Sequence, residues 1–166
     1  MPQIDVSMFN KGQIDYKEFL LSAEMSALEM MGENIPFVEP VTVELKVNGS
    51  ESSIIAEGIV SGRLGLQCVR CLEPFDHSFN IPFREIYTRR ATEDTDEEIQ
   101  FSGDIIDLSP EVLKAVILSL PMKAICREDC QGLCPSCGSN LNINQCECAG
   151  ESIDPRFNML QDLFKE

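Results

Sequence analysis

Residues 126–148 read "CREDCQGLCPSCGSNLNINQCEC", with six cysteines in 23 positions. The stretch is thick with Gly, Pro and Asn, so it reads as loop rather than helix or strand. So many thiols in one loop serve disulfides, a redox pair or a metal. The other two cysteines, Cys68 and Cys71, stand in "CVRCL". Zinc takes four soft ligands at tetrahedral corners about 2.3 Å from the ion, and a Cys-x-x-Cys turn supplies two of them from one tight loop. "CVRCL" and "CPSCG" both have that form. Gly138, just after the second pair, can take positive φ and let backbone amides approach the sulfurs. Thiolates are soft donors and zinc carries no redox risk, so zinc is the expected metal.

The candidate ligands are therefore Cys68, Cys71, Cys126, Cys130, Cys134, Cys137, Cys146 and Cys148, for one or two zinc ions per chain. Two groupings compete. Cys134, Cys137, Cys146 and Cys148 span only 15 residues, and closing such short loops costs little chain entropy. Cys68 and Cys71 then meet Cys126 and Cys130 across a long separation, locking sheet to helix. The alternative pairs Cys68 and Cys71 with Cys134 and Cys137, in the manner of a zinc ribbon. A redox pair at Cys68–Cys71 is the sharpest rival to metal. Such a site wants its first thiol at a helix N-terminus, whereas "LEPFDHSFNIPF" after Cys71 reads as turn and strand.

Working outward, the chain before the first pair is rich in strand signals. "EFLLSAEMS" alternates, with Phe19, Leu21, Ala23 and Met25 on one face. "VTVELKVNGS" alternates Val41, Val43, Leu45 and Val47 and stops at the turn signal Asn48-Gly49. "SIIAEGIVSGRLGLQC" is a β-rich run whose three glycines read as bends or bulges. "FDHSFNIPFREIYTRR" is a further strand, in which Pro82 marks an edge or a bulge. Ser26 and Glu29 form a capping-box pattern, predicting a short helix at about 27–31 that ends at Gly32.

Five acids in positions 93–98 mark a solvated loop. "LSPEVLKAVILSLP" is the clearest helix. Ser109 is placed to cap, Pro110 fits the first turn and Glu111 suits the positive end of the dipole. Val112, Leu113, Val116, Ile117 and Leu120 make its apolar stripe.

The expected fold is α+β in a single domain, 1–166. It comprises an antiparallel, partly barrel-like β-sheet, one main packed helix and a C-terminal cysteine-rich zinc-binding region. Residues 1–90 are mainly β and carry the first Cys-x-x-Cys. An acidic loop and short strand fill 91–103, a helical segment 104–125, the cysteine-rich segment 126–150 and a C-terminal helix 151–166. In that last helix Phe157, Leu160, Leu163 and Phe164 turn inward.

The charge balance narrows the function. Twenty-eight acids against 13 bases leave a net charge of −15. Such a surface repels phosphate backbones at long range, so broad electrostatic binding to nucleic acid is not expected. A protein partner with a basic face is easier to accommodate. Arg70, Arg84, Arg89 and Arg90 are the candidates for a local basic patch that would allow direct contact with nucleic acid. No run approaches the ~20 apolar residues of a membrane span. The N-terminus lacks the basic start and apolar run of a secretory signal. A cytoplasmic location is expected, where thiols stay reduced and structural disulfides are disfavoured. His77 is the only histidine and reads as a surface or strand residue rather than a base. No phosphate loop or nucleophile motif accompanies it.

Taken together, "LQCVRCLEPF", "LPMKAICREDCQGLCPSCGSNLNINQCEC" and "IDPRFNML" resemble the YceD family, bacterial and plastid proteins linked to accumulation of large-subunit 23S ribosomal RNA. The resemblance covers nearly the whole chain. It implies a role in rRNA stability or assembly of the large ribosomal subunit, with an assembly intermediate or a basic ribosomal protein as partner, and no catalytic activity. It carries over Cys68, Arg70, Cys71, the second cysteine cluster, Gly132, Asp154, Pro155 and Arg156 as signature positions. A thiol-based redox sensor or oxidoreductase and a zinc-ribbon nucleic-acid binder are the alternative functions.

Overall fold

The computed structural model describes residues 1–30, 32–49, 53–89 and 98–148. Its elements run in chain order β1 (Gln3–Asp5), α1 (Ser7–Asn10), β2 (Tyr16–Ala23), β3 (Leu28–Met30), β4 (Glu33–Ile35), β5 (Val41–Gly49), β6 (Ser53–Gln67), β7 (Pro74–Thr88), β8 (Glu98–Gln100), β9 (Ile105–Asp107) and α2 (Ser109–Ser119). The described residues are mostly sheet, with two helices. None of the helices described is long and apolar enough to cross a membrane.

The main sheet has five strands in the order β2-β5-β6-β7-β8. Its first four are antiparallel, but β8 runs parallel to β7. Among the described residues the two edge strands do not pair with each other, so the sheet expected to be partly barrel-like is open and not a closed barrel. Closure would require a ladder between those edges. The alternation expected for residues 19–25 and 41–47 is present: Val41, Val43, Leu45 and Val47 are buried while Glu44 and Lys46 face out. The Asn48-Gly49 turn is displaced. Both residues still belong to β5, where they pair with Ile55 and Ile54.

The predicted helix at 27–31 is instead a hairpin. Leu28–Met30 pairs antiparallel with Glu33–Ile35, and Gly32 between them takes φ 85°. One turn of helix makes too few hydrogen bonds to offset its nucleation cost. The hairpin buries Leu28 and Ile35 against the core.

The strand β6 dominates the architecture. It runs unbroken for 15 residues and pairs with β7 along its whole length, from Ser53↔Thr88 to Gln67↔Pro74, without a bulge. Its glycines are therefore not bends or bulges. They are places where other atoms come too close for a side chain. A Cβ on Gly58 would lie 1.8 Å from the Glu44 carbonyl oxygen, and one on Gly62 would lie 2.7 Å from the Phe79 ring. Pro82 sits where β7 has no second neighbour, since β8 pairs only with Ile86–Thr88. It is an edge residue, and the missing N–H costs no ladder bond.

One face of the sheet buries Ile54, Ala56, Val60 and Leu64 of β6 with Phe83 and Tyr87 of β7. α2 packs on β7 and adds Val112 and Val116. Ile117, expected in this stripe, is 41% exposed. Ser109 does not cap the helix through its own side chain. The Asp107 carboxylate accepts from the Ser109 backbone N–H and hydroxyl instead. The N-terminal segment, which carries no strong sequence signal, lies in the core: β1 pairs with β9, and Ile4, Val6 and Phe9 are buried. The acidic run at 93–97 and the predicted C-terminal helix lie outside the described residues.

The tight approach at Gly58 yields a test. Gly58→Ala must push backbone against backbone, and overpacking of that kind costs on the order of 3 kcal/mol. Gly65→Ala meets the Pro36 ring at 3.2 Å and the Val38 side chain at 3.7 Å, with no backbone among them, and should cost less than about 1 kcal/mol. Urea denaturation of both variants checks this, and equal losses would refute it.

Candidate metal centres

The β6–β7 ribbon has a six-residue tip, 68–73, reading "CVRCLE". It presents Cys68 and Cys71 at the end of a ladder roughly 45 Å long at the usual rise per strand residue. The chain leaving α2 comes back to the same tip, where the Val69 N–H donates to the Ala124 carbonyl at 2.8 Å. Cys126 and Cys130 follow at once. The Cys68 and Cys130 sulfurs stand 3.9 Å apart and those of Cys71 and Cys126 3.8 Å apart. All four sulfurs lie within 4.8 Å of one another, and so do those of Cys134, Cys137, Cys146 and Cys148. Of the two groupings open at the level of sequence, the fold brings together the one that joins Cys68 and Cys71 to Cys126 and Cys130.

These separations fit a metal and not a disulfide. Sulfurs at tetrahedral corners about 2.3 Å from an ion are about 3.8 Å from each other, whereas bonded sulfurs are about 2.05 Å apart. All eight cysteines are free thiols. Both sets could hold a thiophilic ion.

Each Cys-x-x-Cys is the same knuckle. The Leu72 N–H donates to the Cys68 carbonyl and the Gly138 N–H to the Cys134 carbonyl, both at 2.9 Å. Both donors are in the left-handed region, Gly138 at φ 75° and Leu72 at φ 61°. Glycine takes that conformation freely, but leucine does so at a cost of about 1 kcal/mol. This turn aims backbone N–H groups at the sulfurs. Burial pushes the Cys68 thiol up, but the N–H groups of Cys126, Cys71 and Arg70 outweigh it and bring it to about 6. Cys137 also falls to about 6, through the Ser139 hydroxyl and N–H. The last protons are held tightly. Burial and the neighbouring sulfurs raise Cys126 to about 12, and the Cys137 sulfur with burial raises Cys148 to about 12. Four crowded thiols resist a fourth negative charge, which is the situation a divalent cation relieves.

The two centres differ in burial. Cys68, Cys71 and Cys130 are buried and form a small cluster of their own, with Phe75, Ile125 and Cys126 packed against it. Cys137 and Cys148 are exposed. The first centre is further sewn by Arg70, whose guanidinium donates to the Glu128 and Cys130 carbonyls at 3.2 and 3.0 Å. Its own carbonyl accepts from the Leu133 N–H at 3.0 Å. Gly132, at φ 74°, lets this strut form: a Cβ there would lie 3.0 Å from the Arg70 oxygen.

Among the described residues the candidate basic patch does not assemble, and Arg90 lies outside them. Arg70 is at the ribbon tip, Arg84 is paired with Glu57 at 2.9 Å, and Arg89 is just past the far end of β7 beside Asp104 at 3.9 Å. Strand geometry alone separates the first from the last. His77 lies within β7 opposite Leu64 and joins neither centre. Asn142 escaped the sequence reading altogether, although its amide touches the Cys130 sulfur at 3.4 Å. The only signal was the density of Asn near the thiols. Asp154, Pro155 and Arg156 lie outside the described residues.

Comparison with known proteins places these centres in a family. Residues 56–164 match the profile of the large ribosomal RNA subunit accumulation protein YceD. An uncharacterized protein of Mycobacterium tuberculosis is 32% identical over 127 residues, covering 74% of this chain and 61% of its own. The chain thus spans less than two thirds of the length of that relative. YlbN of Bacillus subtilis is 26% identical over 152 residues, covering 90% of this chain and 88% of its own. The large ribosomal RNA subunit accumulation protein YCED homolog 1, chloroplastic, of Arabidopsis thaliana is 25% identical over 158 residues, covering 76% of this chain and 49% of its own. No solved structure matches the chain.

Two outcomes follow from the geometry. Leu72 is 53% exposed, so Leu72→Asn gives up little packing and relieves the left-handed strain. It should raise stability by up to about 1 kcal/mol, read by calorimetry, and a loss of stability would contradict the assigned turn. Each centre holds two raised thiols, Cys71 and Cys126 in the first and Cys146 and Cys148 in the second. Metal uptake at neutral pH should therefore release roughly two to three protons per ion and weaken as pH falls. Titration calorimetry in buffers of different ionisation enthalpy measures this, and uptake without proton release would exclude thiol ligation.

Proposed function

The chain belongs to the YceD family, and we propose that it is a non-enzymatic zinc-binding factor that supports accumulation of 23S rRNA and biogenesis of the large ribosomal subunit. The observation that carries this reading is that the family match, residues 56–164, contains both four-thiol centres. The Arabidopsis relative carries the ribosomal RNA accumulation role in its name. Zinc is the ion that four thiolates in closed tetrahedral geometry favour. With all four positions filled by sulfur, such an ion has none left for a reactive water, which supports a structural rather than a catalytic role.

The contact with rRNA is indirect, through a basic protein partner. Net charge −15 supports this, as does the local neutralisation of arginines: Arg63 by Glu39, Arg84 by Glu57 and Arg127 by Asp129. A surface of this kind steers a cationic protein toward it and repels bare phosphate.

The test is depletion of the protein in its own cells. The ratio of 23S to 16S rRNA should fall, and the intact gene should restore it. Cys71→Ser should not, and the purified chain should carry two zinc ions where that variant carries one. A normal rRNA ratio after depletion would refute the role. In filter binding, the purified chain alone should bind 23S fragments weakly at all salt concentrations. Tight binding with a steep loss on added salt would replace the indirect mechanism with direct contact.

A further inference from the structure

We propose that Asn142 couples the two four-thiol centres, so that occupancy of the second by a divalent thiophilic ion tightens the grip of the first. The inference rests on the metal-binding reading above and concerns how the two sites are filled.

Asn142 belongs to the second centre by chain position, between its ligands Cys137 and Cys146. Its side chain, however, serves the first. The amide nitrogen donates to the Cys130 sulfur at 3.4 Å and to the Asn140 side-chain oxygen at 2.8 Å. The amide oxygen accepts from the Gln131 backbone N–H and from the Arg127 guanidinium, both at 2.8 Å. Both donors and both acceptors of the amide are used. Flipping it would set a carbonyl against a thiolate and an NH2 against two donors, so the orientation is forced. Three of its four partners, Arg127, Cys130 and Gln131, come from the loop that carries the first centre's second pair of thiols.

The backbone around it has the same dual membership. The Leu141 N–H donates to the Gly132 carbonyl at 2.9 Å, and Leu133 and Asn140 form an antiparallel bridge. The Leu133 N–H in turn holds the Arg70 carbonyl at the ribbon tip. One ordered turn, 140–144, therefore rests against the floor of the first centre. The turn lies within the loop that Cys134, Cys137, Cys146 and Cys148 close. Those four sulfurs gather within a short stretch and can close around an ion locally, at little cost in loop entropy. The first centre needs the hairpin tip and the loop after α2 to meet. An N–H delivered to a ligand sulfur stabilises its thiolate and fixes its direction, and such supporting contacts are commonly worth a factor of 10 to 100 in metal affinity. Without an ion in the second centre these hydrogen bonds alone hold the turn, and part of that contribution is lost.

The experiment uses the full reduced chain, cobalt(II) as the probe and competition with a chelator to measure affinity, with thiolate-to-cobalt absorption reporting each site. Emptying the second centre with Cys137→Ser and Cys148→Ser should lower the cobalt affinity of the first by about tenfold. Asn142→Ala should lower it by a similar factor, and the second centre should then bind with the affinity it keeps when the first is emptied. Combining the two changes should give no further loss, because one contact is being removed twice. Asn142→Asp keeps both acceptor bonds but offers no N–H to sulfur. It should reproduce the Asn142→Ala loss, and it serves if the alanine variant is poorly folded. Coupling is also reciprocal, so emptying the first centre with Cys71→Ser and Cys126→Ser should weaken the second by the same factor. Losses under twofold, or losses that multiply on combination, overturn the coupling while leaving metal binding intact. Absence of thiolate-to-cobalt absorption in the unmodified chain overturns the metal reading, and the coupling with it.

Discussion

Four sulfurs drawn from two remote parts of the chain meet at one point, and the arrangement of the fold converges on them. Cys68 and Cys71 arrive at the tip of a long ribbon, Cys126 and Cys130 on the loop leaving the main helix. Little else is available to hold that end. The main core lies further back, under α2 and the body of the sheet, while among the described residues the tip has Phe75 and Ile125 for apolar company. An ion held there would substitute for a core that the tip is too small to build, as metals do in small domains generally. It would also tie α2 to the hairpin it packs beside, so that the two could not shift independently.

The sulfurs are prepared for this by backbone rather than by charged side chains. Each Cys-x-x-Cys turn points successive N–H groups at its sulfurs, and the residue after it enters the left-handed region to do so. At Gly138 that conformation is free. At Leu72 it is strained, and strain retained at an exposed leucine shows how firmly the surrounding ladder and the Cys68 carbonyl dictate the turn. Arg70 and Gly132 add a second constraint, in which a guanidinium and a missing Cβ let two loops lie against each other. An arginine in a cysteine motif invites assignment to RNA. Here its nitrogen donates to carbonyl groups of its own chain.

The centres are also unequal in ways that suit different tasks. The first is buried and joins distant segments, so its loss would be felt throughout the fold. The second is short, local and half exposed, and none of its four ligands lies in the sheet. Asn142 is the point where the local centre reaches the structural one.

Much of this was legible in the residues. The period of two at 19–25 and 41–47 marked strands because one face of a sheet must be buried. The capped apolar stripe from Ser109 marked the main helix. The spacing of the cysteines limited them to two plausible sets of four. These are local signals, set by side-chain periodicity and by the reach of a tight turn. What only the tertiary structure decided is whatever depends on which segments become neighbours. Gly58, Gly62 and Gly65 read as bends but are points of close approach, because the crowding atoms come from other strands or from the segment before β5. Residues 27–31 read as helix, yet pairing with 33–35 buried more than one helical turn could. The N-terminal segment entered the core through β9, a strand a hundred residues away. The choice between the two cysteine groupings, and the place of Asn142 between them, turned on where the β6–β7 ribbon ends relative to α2. That is a distance through space, and sequence spacing does not encode it.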